Sequence, residues 1–131
     1  MTPESMLAIL ISAVGGFVLP LSPYLGLTLS LCLTDLYTGI RASGEPVQSK
    51  KLRRTVEKFI VYAIAIMLAE GMGAVFFGGH RFLTHAMAFI ICSIEFKSNL
   101  ENIGKVTNND LWSLLRKYLG DKFKAPTDGK R

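Results

Sequence analysis

Residues 6–33 carry no charged side chain. A second apolar run, residues 59–79, holds one charge, Glu70, and a third, residues 82–94, holds none. A helix that crosses a bilayer needs roughly 20 mostly apolar residues, and it satisfies its own backbone groups on the way. Several such runs in 131 residues leave no room for a separate soluble domain. The expected fold is an all-α integral membrane protein with three or four transmembrane helices in a small bundle over residues 1–103. A short amphipathic interfacial helix over residues 104–120 and a disordered basic tail over residues 121–131 complete it.

The formal net charge is +5, but this does not point to nucleic acid. The cations flank apolar runs and are not interleaved with aromatics on one polar face. Flanking cations orient a membrane protein. Four spans put the loop after helix 2 and the C-terminus on one side, and every Lys and Arg except Arg81 falls there. That side is expected to be the cytoplasm, in a bacterial cytoplasmic membrane, and four spans place the N-terminus there too. The first five residues carry no Lys or Arg, so a cleaved signal peptide is not expected. Cys32 and Cys92 lie inside apolar runs and read as free thiols.

Thr2, Pro3 and Glu4 have the order of a helix start, and helix 1 should run to about Val18. Pro20 and Pro23 should then break the chain, giving two shortish spans or a re-entrant hairpin. Helix 2 is expected over residues 24–41. Ser49 is positioned to cap helix 3, which should end near Phe77 before a Gly78-Gly79 turn. Helix 4 is expected over residues 82–103, with a break over residues 104–108. Leu111, Trp112, Leu115, Tyr118 and Leu119 then form the apolar side of the interfacial helix.

Small residues recur four apart on three helices: Ala8, Ser12 and Gly16; Gly26, Ser30 and Thr34; Ala65, Ala69 and Gly73. Such stripes let helices approach closely, within a bundle or between copies in a homo-oligomer. Thr84, Ala88 and Cys92 make a weaker one.

An ionisable residue at the bilayer centre costs about 2.5–3.5 kcal/mol on insertion scales, so Asp35, Glu70 and Glu95 need partners or a task. Lys51, Arg54 and Lys58 share a helix face by their spacing. Arg54 and Lys58 are therefore expected to neutralise Asp35 and Glu95 near the cytoplasmic boundary, or to line a polar path between protomers. Glu70 sits deeper, with Arg81 more than two turns away in sequence, and is expected to be protonated, to snorkel, or to face an oligomer interface. His80 and His85 are too few for a metal site. No catalytic set, phosphate-binding loop or cofactor motif is present, so a non-enzymatic protein is expected.

Asp35-x-x-Thr38-Gly39, the basic segment at residues 50–58, and an apolar helix closing on Glu95-x-x-Ser98-x-x-Glu101-Asn102 follow in a fixed order. Over residues 29–119 this resembles the phage holin / toxin-secretion holin family. The resemblance implies a protein that oligomerises in the bacterial cytoplasmic membrane and opens lesions for an endolysin or toxin. With the polar residues read above, the candidate structural or gating network is Asp35, Thr38, Gly39, Arg54, Lys58, Glu70, Glu95, Ser98, Asn99 and Asn102. The partners implied by the resemblance are the lipid bilayer, further copies of the chain, and an endolysin or toxin. Two other readings stay open from the residues themselves: a membrane scaffold recruiting a cytoplasmic partner, and a small ion channel or transporter.

Overall fold

The computed structural model describes residues 1–123. These fold as α1 (Pro3–Val18), a 3-10 turn (Leu19–Leu21), α2 (Ser22–Ser43), α3 (Ser49–Phe76), α4 (Phe82–Thr107) and α5 (Leu111–Phe123). The start of α1 is the expected one: Thr2 is extended, and its hydroxyl accepts the Ser5 N–H at 3.2 Å.

The prolines do not separate two spans with a loop. Val18, Leu19, Leu21 and Ser22 all keep right-handed helical angles. Pro20 and Pro23 are each the second residue of the element they open. There a missing N–H costs little, because the first turn's N–H groups have no intrahelical partner anyway. Pro3–Ser43 is thus one helical run of 41 residues. At 1.5 Å per residue it is about 60 Å long, roughly twice the hydrocarbon core. This run and Ser49–Phe76 are the two helical segments among the described residues that are long and apolar enough, taken whole, to cross a membrane.

Helices α2, α3 and α4 pack mutually, most extensively α2 with α4. Leu21, Ile66, Ala88 and Ile91 form the buried apolar centre, flanked by Tyr24, Leu25, Tyr62, Ala65, Met67 and Met87. Along α4 the buried residues are Thr84, Ala88, Ile91, Glu95 and Asn99, spaced by three and four. One face therefore begins small and apolar and ends polar. Leu33, Val61, Leu68, Val75, Phe89 and Ile94 are exposed around the outside. A surface this apolar suits lipid better than water. Helix α1 buries none of its residues.

Three expected boundaries move. Ser49 is the first residue of α3, and the capping position is Gln48, which makes no side-chain bond there. Residues 104–107 do not break α4, which continues through Gly104 to Thr107 and ends on left-handed Asn108 at φ 59°. Gly104 serves the turn instead: the Asn109 N–H bonds its carbonyl at 3.0 Å, and a Cβ at 104 would lie 2.5 Å from the Asn109 oxygen. Helix α5 extends to Phe123, so the first residues expected in the tail are helical. Residues 124–131 lie outside the described part of the chain.

Candidate functional site

The polar half of the α4 face meets α2 and α3 around one ammonium group. Lys58 Nζ donates to Asp35 Oδ2 at 3.0 Å and to Glu95 Oε2 at 2.9 Å. One side chain of α3 thereby ties α2 to α4. The other carboxylate oxygens are also taken. Ser98 Oγ and Asn102 Nδ2 donate to Asp35 Oδ1 at 2.6 and 3.1 Å, and Tyr62 OH donates to Glu95 Oε1 at 2.8 Å. Full satisfaction matters here because an unpaired charge away from water is costly. Glu95 retains 3% of its side-chain exposure, Asp35 17% and Lys58 27%.

The turn of the Asp35 motif joins the same group of contacts. Asn102 Nδ2 also donates to Thr38 Oγ1 at 3.3 Å. Gly39 lies beside that amide, and a Cβ there would meet it at 3.5 Å, an ordinary van der Waals contact. Buried Asn99 donates to the Leu31 carbonyl of α2 at 3.1 Å and to the Glu95 carbonyl at 2.7 Å. It braces the backbone beside the ion pairs and touches neither carboxylate among the described contacts.

Two expectations about charge are corrected. Arg54 lines the cleft beside the cluster but forms no ion pair among the described residues; Lys58, one helical turn deeper, pairs with both acids, one positive charge against two negative. Glu70 does not lack an opposite charge. The turn brings Arg81 back along α3, with Nε 3.1 Å from Glu70 Oε1, and Thr84 Oγ1 donates to Oε2 at 2.6 Å. Glu70 therefore belongs to a separate polar site at the other end of the bundle. Tyr62 and Thr84 went unsingled as partners in the sequence. Their signal was a hydroxyl in an apolar helix, one turn from Lys58 in the first case.

The small-residue stripes divide. Ala69 and Gly73 are buried and Ala65 is half-buried. Gly73 admits the turn rather than a neighbouring helix: its Cβ would lie 2.7 Å from the His80 carbonyl oxygen. By contrast Ala8, Ser12 and Gly16 on α1, and Gly26, Ser30 and Thr34 on α2, are exposed. Ser30 and Thr34 hydroxyls turn back onto carbonyls of their own helix. Cys32 and Cys92 are both free thiols.

Just ahead of α5, Asp110 accepts the Ser113 hydroxyl at 2.7 Å and the Ser113 N–H at 3.1 Å. The hydroxyl, then the backbone bond, holds its carboxyl below the ordinary value of 3.8.

A model of the bacteriophage holin family matches residues 10–121. The chain belongs to the bacteriophage holin family. No curated protein and no solved structure gives a match. Holins are membrane proteins without enzymatic activity. The matched region holds the whole Asp35–Lys58–Glu95 cluster and includes Pro20 and Pro23.

Proposed function

We propose that this holin assembles with further copies of itself in the bacterial cytoplasmic membrane and opens a lesion through which an endolysin or a toxin leaves. The observation that carries the reading is the Lys58 latch, in which two carboxylates from different helices depend on one cation. Such a joint is either whole or broken. With Lys58 in place, α2, α3 and α4 stay closed at one end. Once it lets go, two carboxylates, Ser98 and Asn102 become free to face water, and they supply a polar lining.

The outward stripes of α1 and α2 fit the assembly step, since close helix packing in lipid uses small residues. The cation-rich end is taken as cytoplasmic by the positive-inside rule. Moving one charge through 100 mV is worth about 2.3 kcal/mol, so collapse of the membrane potential is a sufficient perturbation to favour opening.

The test is inducible expression in a bacterium with and without an endolysin that lacks its own export signal. Abrupt lysis only with both is expected. Selective ion flux without lysis would make the protein a channel, and continued growth with potential intact would make it a scaffold.

A further inference from the structure

We infer that the cleft at the mouth of the latch binds the phosphate of an anionic phospholipid headgroup. The inference rests on the reading that α2, α3 and α4 lie in the bilayer with this end at its surface. The cleft measures about 470 Å³ and opens between the end of α2 and the start of α3. Its floor holds Asp35, Lys58 and Glu95, and its mouth holds Lys51 and Arg54.

The floor has no acceptor to spare, because every oxygen of both carboxylates already receives a hydrogen bond. Across the lining, the three cations Lys51, Arg54 and Lys58 exceed the two carboxylates by one, and the two cations not held by those carboxylates, Lys51 and Arg54, are at the mouth. Arg54 is exposed and has no ion-pair partner among the described residues. Lys51 is paired with Glu45 at 3.2 Å, but Glu45 is 61% exposed, and surface pairs of this kind exchange readily.

A second feature points to the same ligand. Helix α3 has no acid in its first turn and no side-chain cap, although the positive end of a helix dipole favours anions. Lys50, Lys51, Arg53 and Arg54 crowd that end instead. Four cations on a positive helix end repel one another, with Glu45 on Lys51 as the one paired acid there among the described residues, and a further anion relieves that repulsion. Basic pockets between transmembrane helices on the cytoplasmic side suit anionic lipid headgroups, and a guanidinium matches a phosphate with two parallel bonds. A phosphate at Arg54 and Lys51 would lie across the α2–α3 opening, one turn from Lys58, and so would favour the closed latch.

The full chain is placed in vesicles of phosphatidylcholine alone and of phosphatidylcholine with phosphatidylglycerol, and its thermal unfolding is followed. The midpoint is expected to rise by several degrees with phosphatidylglycerol. Arg54→Gln should lose most of that rise, Arg54→Lys should keep part of it, and Arg53→Gln, exposed and outside the cleft, should keep it all. Equal loss in Arg53→Gln and Arg54→Gln would reduce the effect to general surface attraction and overturn the site. No rise in the unaltered chain would overturn it too. A rise produced by inorganic phosphate in phosphatidylcholine vesicles would assign the cleft to a soluble anion. Insertion into both vesicles without any lipid dependence ends only this inference. Failure to insert into either ends the membrane reading and the inference together.

Discussion

Lys58 stands between Asp35 and Glu95 with no second cation paired to either among the described residues. Removing it leaves two facing carboxylates, whereas removing Asp35's charge leaves a neutral Lys–Glu pair. Lys58→Met should therefore destabilise the bundle most, toward the lower end of about 3–5 kcal/mol because Lys58 is partly exposed. Asp35→Asn should cost clearly less. Unfolding in detergent compares them, and a Lys58→Met protein as stable as the unaltered one would remove the latch from the argument. Glycines separate in the same way. Gly73→Ala pushes a Cβ to 2.7 Å from the His80 carbonyl, while Gly71 has nothing within 4 Å. The first should cost about 1–3 kcal/mol, as overpacking does, and Gly71→Ala should be neutral or stabilising. Equal midpoints for the two variants would show that the α3–α4 turn is not tightly held.

At the level of elements, α4 joins two environments on one face, apolar at Ala88 and Ile91 and ionic at Glu95. Periodicity in the sequence exposes that face but not its partners. At the start of helix α5, ionised Asp110 accepts both Ser113 bonds more strongly than the protonated acid would. Its folded carboxyl titrates below 3.8, so its contribution is full above the ordinary value and fades as pH falls through the lowered one. Helical content at Ser113 and Leu114, read by amide exchange in vesicles, should drop in that acid window. Asp110→Asn should move the drop out of it, because an amide still accepts at a cap. A drop unchanged in Asp110→Asn would assign it to another acid. Helix α1 buries nothing, unlike α2, α3 and α4. Removing residues 1–18 should leave the unfolding midpoint of the α2–α4 bundle nearly unchanged while abolishing endolysin-dependent lysis. A large fall in the midpoint would mean that α1 supports the bundle after all.

For the molecule as a whole, three charge-poor runs and the Gly78-Gly79 turn were sufficient to read an all-helical membrane fold. That reading is local, because helix formation in lipid depends on each segment's own apolar length. Asp35, Lys58, Glu95 and Ser98 were also legible as neighbours, since a four-span layout puts them near the same membrane boundary, and Asn102 came with the family resemblance. Three features were not. Pro20 and Pro23 look like breakers in sequence, but whether a proline ends a helix depends on which turn it occupies. The Gly26, Ser30 and Thr34 stripe has the spacing of a packing face, and only the rotation of α2 turns it outward. Arg81 is distant from Glu70 along the chain, and the reversal at the turn makes them neighbours. The sequence by itself determined the environment, the helices and the charges that must be answered. The tertiary structure decided which cation answers which acid, because a 3 Å contact between helices depends on their relative rotation and depth, and no single segment contains that information.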